Sequence, residues 1–156
     1  MLEIAVPGFK NLRISHLLLD YNGTLAHDGK LIEGVGQRLN RLAEKIQVHV
    51  ITADTFGQVE QELSGISCKL HIIPKENQAL KKLDYLNQLG IEFTACIGNG
   101  RNDCLMLKEA SLGIALCQGE GGATEAILAA DLMMGDILVA LDLFSNPLRL
   151  IATLRS

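Results

Sequence analysis

The chain has no tryptophan, and with two tyrosines and four phenylalanines only 4% of its 156 residues are aromatic. Its core must therefore come from Leu, Ile, Val and Ala. At 48% hydrophobic residues this is the palette of a layered α/β protein and excludes a disordered chain. No basic excess is present: a net charge of −4 offers no concentrated cationic face, which excludes general nucleic-acid binding. No apolar run is long enough to span a bilayer, and the start, MLEIAVPGFK, lacks the basic and apolar stretches of a secretion signal. A soluble cytoplasmic protein without a membrane partner is the expectation.

Close cysteine pairs are lacking too. Cys68, Cys96, Cys104 and Cys117 are scattered through mostly apolar segments, so they read as reduced core thiols and not as a zinc knuckle or redox pair. His16, His27, His49 and His71 are equally dispersed, with His49 and His71 read as structural residues of strands. No internal repeat, low-complexity tract or Pro/Ser-rich linker divides the sequence, and its length suits one compact domain.

What is present is an alternation of strand-like runs with helical patterns, the sequence form of a Rossmann-like three-layer α/β/α sandwich with a mostly parallel central sheet. Strands are predicted over 14–19, 48–52, 70–73, 93–97, 113–116 and 132–134, with an extra edge strand over 2–6. Val35, Leu39, Leu42, Ala43 and Ile46 form one apolar helical face, and Leu80, Leu83, Leu86 and Leu89 another. Thr55 with Gln58 reads as a capping box, Asp54 as a helix N-cap, Gly90 as a helix stop and Asn146-Pro147 as a helix interruption. The segment 21–33, with Gly23 and Gly29 inside it, predicts a small hairpin after the first sheet strand. The glycines of 119–122 read as an ordinary loop, because no P-loop lysine follows, and Arg101 as solvent-exposed.

In such sheets ligands gather at the carboxyl ends of the strands. The residues there are Asp20, Asn22 and Thr24, then Thr52 and Asp54, then Lys75, then the loop GNGRND at 98–103. These are the parts needed for a carboxylate to attack phosphorus, which requires cations to mask charge and donors to hold phosphoryl oxygens in line. Asp20 is the candidate nucleophile, and Asn22 offers a backbone carbonyl to Mg2+. Thr52 is the phosphoryl-oxygen donor, Lys75 the charge-neutralising cation, and Asp103 a second anionic group for the metal.

DYNGTLA at 20–26, ITAD at 51–54, a lysine near the next helix start and GNGRND resemble, in order, the four motifs of the haloacid dehalogenase (HAD) superfamily. The longer stretch GNGRNDCLMLKEASLGIALCQGEGGATEAILAADLMM also resembles the phosphorylation domain of P-type ATPases, and the closest likeness is to the capless soluble P-type ATPase group. The resemblance covers nearly the whole chain from about Ile14 onward and carries no substrate specificity. It implies a phosphohydrolase of phosphatase or ATPase-like type working slowly through an aspartyl phosphate on Asp20, with Mg2+ as cofactor and a phosphorylated small molecule or protein as substrate. A weakened phosphate-binding or regulatory module is the alternative. Asp20, Gly23, Thr24, Thr52, Ala53, the lysine and Asn102 would surround the phosphate, and Asp20, Asn22, Asn99 and Asp103 the metal. About 30 residues separate Asp20 from Thr52 and about 20 separate Thr52 from Lys75, too few for a cap domain. Capless relatives often oligomerise, so a homo-oligomer is a further expectation.

The sequence departs from the family pattern at two positions. Asn22 stands where superfamily phosphatases carry an acid/base aspartate, which predicts slow hydrolysis of the intermediate, since such help is worth roughly 10²–10⁴-fold. Asn99 stands where a metal-binding carboxylate is usual, which predicts looser metal binding. For the lysine, Lys75 is favoured by its place at a helix start, with Lys81 and Lys82 as alternatives.

Overall fold

The computed structural model describes residues 1–54 and 57–156. The first two strands, β1 (Leu2–Ala5) and β2 (Asn11–Ile14), pair antiparallel as a separate two-stranded sheet. The segment predicted as an edge of the main sheet therefore does not join it. Its burial alternates, with Ile4 inward and Glu3 and Ala5 outward, as suits a ribbon lying over the core with one wet face.

The next strand, β3 (His16–Asp20), is followed by the expected hairpin, β4 (Ala26–His27) with β5 (Lys30–Leu31), turning through Asp28 and Gly29 at φ 50° and 78°. These left-handed conformations match the twist of a two-residue hairpin turn. Then come α1 (Val35–Ala43), β6 (Gln47–Thr52), α2 (Gln58–Glu62), β7 (Lys69–Ile72), α3 (Gln78–Leu89), β8 (Thr94–Gly98), α4 (Cys104–Glu109), β9 (Leu112–Leu116), α5 (Thr124–Ala129), β10 (Leu132–Met134), α6 (Ile137–Ser145) and α7 (Pro147–Leu154). Six strands form one parallel sheet in the order β10-β9-β8-β3-β6-β7. The fold is a three-layer α/β sandwich.

Alternation along the central strands explains the two helical layers, since successive side chains leave a strand on opposite faces. Leu17 and Leu19 join a core with Val35, Leu39, Ile137 and Leu141, whereas Leu18 joins Ile51, Cys96, Leu86 and Met106 on the other face. Because both faces are covered, β3 reads as an unbroken apolar run up to Asp20. On the first face Arg38 of α1 clasps Asp142 of α6 through two hydrogen bonds of 2.9 and 3.2 Å. Asp136 caps α6, accepting from the Leu138 and Val139 amides at 2.7 and 3.1 Å. On the second face His16, His49 and Tyr85 form a chain of polar contacts, 3.1 Å from His16 Nδ1 to His49 Nε2 and 2.9 Å from His49 Nδ1 to the Tyr85 hydroxyl. The ring of His71 stacks on Tyr85 with centroids 4.2 Å apart. His49 and His71 are strand residues with partners, as expected, whereas the four cysteines are not all core thiols: Cys96 is buried, Cys68 and Cys104 are half-buried, and Cys117, just past the end of β9, is exposed.

Three helix boundaries bear on the sequence reading. Gly90 does stop α3, at φ 95° with its N–H on the Leu86 carbonyl, and α6 and α7 break at Asn146-Pro147 with a bend of 103°. Asp54 is not an N-cap: α2 begins at Gln58 with Gly57, at φ 74°, in the cap position. Thr55 of the expected capping box lies outside the described residues. The apolar face of α3 is also rotated from the leucine pattern, with Leu80 54% exposed while Lys82 and Leu86 are buried. Among the described residues no single helix is long and apolar enough to cross a membrane.

Candidate active site

The register of the sheet brings the strand-end residues to one edge. Asp20 pairs with Ile51, which puts Thr52 one residue beyond it, and Leu19 pairs with Ile97, which puts Gly98 and Asn99 beside Asp20 on the other flank. Strand order reverses at β3, the position where an open α/β sheet leaves a crevice. A cavity of about 550 Å³ opens there, lined among others by Asp20, Asn22, Thr52, Ala53, Lys75, Lys82, Asn99 and Asn102. Between β3 and β6 the chain contributes only the β4–β5 hairpin and α1, and between β6 and β7, among the described residues, only α2. Among the described residues nothing the size of a cap domain stands over the opening.

Asp20 and Lys82, on the floor of the cavity, belong to a buried ion triad that Asp103 completes from beneath. Lys82 Nζ lies 2.6 Å from Asp20 Oδ1 and 2.6 Å from Asp103 Oδ1, and residues 20, 82 and 103 are 6%, 1% and 0% exposed. This departs from the favoured lysine: Lys82, not Lys75, makes the ion pairs with both aspartates. Lys75 stands on the wall of the same cavity, where its backbone carbonyl accepts from Gln78 Nε2 at 3.0 Å. The reason is helical geometry. Gln78, Lys82 and Leu86 follow one another at i, i+4 and so share a stripe of α3, with Gln78 at the cavity, Lys82 at the floor and Leu86 in the core. Gln78 was not singled out in the sequence, although that same spacing marks it. Its Oε1 accepts from Asn102 Nδ2 at 2.7 Å, fixing Asn102 at the rim.

Asp103 differs from its expected place as well. It does not line the cavity; beyond its pairing with Lys82, its Oδ2 accepts from the Asn99 and Gly100 amides at 3.0 and 2.9 Å. It anchors the lysine and the loop from behind. A Cβ at Gly98 would collide with this carboxylate, which accounts for a glycine at the end of β8.

Thr24 occupies the middle of the site and is fully buried. Its hydroxyl is 3.0 Å from Asp20 Oδ2 and 3.3 Å from Asn99 Oδ1. The Asn99 amide is oriented by its Nδ2, which donates to the Gly121 carbonyl at 3.2 Å, so that its oxygen is the atom turned towards Thr24. Gly23, at φ 79°, passes so close to the Asn99 amide that a Cβ would overlap it. The Thr52 hydroxyl accepts from the Asp54 amide at 3.2 Å, and both residues face the cavity. Arg101 is exposed and pairs with Glu125 at 3.2 Å.

One lysine against two carboxylates leaves the floor with a net negative charge. Burial, and then the nearby Asp103 charge, push the Asp20 carboxyl up to about 6 despite the opposing pull of Lys82 and Thr24. Burial disfavours the Lys82 ammonium, but the carboxylates of Asp20 and Asp103 outweigh it and hold the lysine above its ordinary range. Such a floor favours a further cation. Asp20, Asn22 and Asn99 line the same cavity, and a carboxylate, an amide oxygen and a main-chain carbonyl are the hard oxygens that Mg2+ prefers, so the residues present fit that ion.

No family model matches the chain. It is 51% identical over 59 residues to the uncharacterized protein MJ0073 of Methanocaldococcus jannaschii, 38% of this chain and 63% of that one. It is 51% identical over 39 residues to the uncharacterized protein MJ0072 of the same organism, 25% of this chain and 89% of that one. The match thus spans less than two thirds of the length of the first relative. Among solved structures, the fold is shared with a 3-deoxy-D-manno-octulosonate 8-phosphate phosphatase from Moraxella catarrhalis in complex with magnesium ion, phosphate ion and KDO. The two agree at TM-score 0.71 and 19% identity, over 90% of this chain and 92% of that one. The cobalt-bound form of the deoxy-D-mannose-octulosonate 8-phosphate phosphatase from Haemophilus influenzae matches at TM-score 0.71 and 16% identity, over 86% and 88%. A Legionella pneumophila protein assigned to HAD superfamily subfamily III A matches at TM-score 0.68 and 17% identity, over 90% and 88%.

Proposed function

For a chain that belongs to one family with the uncharacterized MJ0072 protein and has the fold of HAD phosphatases, we propose a Mg2+-dependent phosphohydrolase that works slowly through an aspartyl phosphate on Asp20. The observation that carries this reading is the Lys82 ammonium held 2.6 Å from both Asp20 and Asp103 at the floor of an open cavity. An aspartate buried against a lysine and open to a pocket on one side is poised as a nucleophile. Phosphatase chemistry on an ester and ATPase-like chemistry on an anhydride fit the same site, and the substrate is a phosphorylated small molecule or protein.

Asp20, the Asn22 main-chain carbonyl and Asn99 would hold the Mg2+, with Asp103 behind them. The bound ion supplies positive charge that draws Asp20 into its ionised form and offsets the phosphoryl oxygens. An Asp20 carboxylate oxygen forms the new bond to phosphorus as the bond to the leaving oxygen breaks. Lys82 offsets charge on carboxylate and phosphoryl group together. The Thr52 hydroxyl, with the backbone at Ala53 and the Asn102 amide on the rim, orients the phosphoryl oxygens. Thr24 fixes Asp20 through its hydroxyl. Asn22 can neither protonate the leaving oxygen nor deprotonate the attacking water, so water reacts unaided with the acyl phosphate and turnover is slow. That same deficit supports the second reading, a module that binds phosphate at this site with little turnover.

The test is hydrolysis of an aryl phosphate and of ATP with Mg2+, by the protein and by its Asp20→Asn variant. Release of phosphate by the protein and not by the variant is expected. Equal release from both would remove Asp20 from the chemistry.

A further inference from the structure

Gln118, two residues beyond the end of β9, ties together three segments that the sequence keeps far apart. Its Nε2 donates to the Thr24 carbonyl at 2.8 Å and to the Gly23 carbonyl at 3.3 Å. Its Oε1 accepts from the Ile137 amide at 2.9 Å. The partners fix the orientation of the side-chain amide, because two carbonyls require its NH₂ end and one N–H requires its oxygen. Ile137 is the first residue of α6, whose amide has no partner within the helix. Gln118 therefore hangs the loop after β3 from the start of a helix that is itself clasped to α1 through Asp142 and Arg38.

The two carbonyls it grips belong to the residues that follow Asn22. In this loop the Tyr21 carbonyl accepts from the amides of Thr24, Leu25 and Ala26, at 3.2, 2.9 and 3.0 Å, so the chain is wound into one tight turn. The Thr24 hydroxyl holds the inner side of this turn, against Asp20 and Asn99, and Gln118 holds its Gly23 and Thr24 carbonyls, so a shift of the turn on loss of Gln118 would displace the Asn22 carbonyl and the Thr24 hydroxyl together. We propose that Gln118 is a positioning residue that holds the 22–24 turn where the Asn22 carbonyl meets a divalent cation and the Thr24 hydroxyl meets Asp20. The inference rests on the phosphohydrolase reading given above.

Two variants and one control test it. Gln118→Ala removes the whole clamp. Gln118→Glu keeps an acceptor for the Ile137 amide but sets a carboxylate oxygen against the Gly23 and Thr24 carbonyls, so it spares α6 and releases the turn. Asn40→Ala serves as the control, since Asn40 makes a comparable two-way clasp, to the Gly65 carbonyl and the Ser67 amide at 3.2 and 2.7 Å, on a loop away from the cavity. The measurements are kcat and KM on an aryl phosphate, Mg2+ affinity by calorimetry, and Tm. Both Gln118 variants are expected to lose about 10- to 100-fold in kcat or in Mg2+ affinity, with KM for the aryl phosphate changed less than about threefold. Asn40→Ala lowers Tm and leaves kcat and Mg2+ affinity unchanged. A folded Gln118→Glu protein with kcat and Mg2+ affinity within about twofold of the starting protein would overturn the proposal. A protein that binds Mg2+ but hydrolyses nothing refutes the enzymatic reading alone, and the Mg2+ affinities of the two variants still decide the role of Gln118.

Discussion

Replacing Lys82 with methionine keeps an unbranched side chain of similar length and removes the one cation between two buried carboxylates. Removing one partner of a buried ion pair typically costs roughly 3–5 kcal/mol, because the remaining charge is left without compensation. Here the loss has a ceiling, since the two aspartates can share a proton instead. Taking up that proton at pH 7.5, for a carboxyl whose ordinary value is 3.8, costs about 5 kcal/mol. At pH 5 the same step costs under about 2 kcal/mol. In the variant, Asp20 binds its proton more tightly folded than unfolded, so its stability is highest below pH 4 and falls as pH rises. The penalty of Lys82→Met, read by urea unfolding in EDTA, is therefore expected to be roughly 3–5 kcal/mol at pH 7.5 and clearly smaller at pH 5, where Asp20 of the starting protein already carries its proton. A penalty below about 1 kcal/mol at pH 7.5, or one that does not change with pH, would refute the triad as the electrostatic centre of the site.

Lys75→Met should leave kcat for an aryl phosphate within about threefold while Lys82→Met abolishes it, because Lys82 and not Lys75 makes the ion pair with Asp20; steady-state kinetics on both variants checks this. Asn22→Asp restores a group that can exchange protons with the leaving oxygen and with water, and should raise turnover towards the roughly 10²–10⁴-fold that such catalysis supplies. Unchanged phosphate release would show that proton transfer is not what limits the protein. Burial, with smaller contributions from the charges of His16, Lys69 and His71, lowers His49 from 6.5 to about 4. The folded state thus rejects a proton that the unfolded chain accepts, and stability falls by up to about 3 kcal/mol as pH drops from 6.5 towards 4. Comparing the protein with His49→Gln by urea unfolding across that window isolates the effect from Asp20, whose raised carboxyl acts with the opposite sign.

Much of this architecture can be read directly from residue patterns. Largely apolar runs ending in Asp20, Thr52 and Gly98 announce central parallel strands and name the edge at which the site forms, because a strand buried on both faces shows little polar alternation, His49 on β6 being the exception. The tight hairpin and the stop at Gly90 follow from glycines whose φ is positive. Legibility fails where a position depends on rotation about a helix axis. Leucines three apart on α3 drift around the helix, so the buried stripe passes through Lys82 and leaves Leu80 in solvent. A lysine four residues ahead of a core leucine is the signal that separates Lys82 from Lys75 and Lys81. Asp103 reads as a second anionic group for a metal; its bonds to the Asn99 and Gly100 amides are local, but its pairing with Lys82 joins residues 21 apart in sequence and shows only in the folded chain. For Gln118 there is no local signal at all, because its three partners lie 94, 95 and 19 residues away in sequence.

The central claim is that Asp20 accepts a phosphoryl group while Lys82 holds it. A crystal structure with Mg2+ and beryllofluoride tests it most directly, since that fluoride mimics a phosphoryl group on a carboxylate. The account predicts beryllium bonded to an Asp20 oxygen, with the Lys82 ammonium in hydrogen-bond contact, Thr52 on a fluorine and the metal between Asp20 and the Asn22 carbonyl. Fluoride bound elsewhere in the cavity with the Asp20–Lys82–Asp103 triad undisturbed would contradict it.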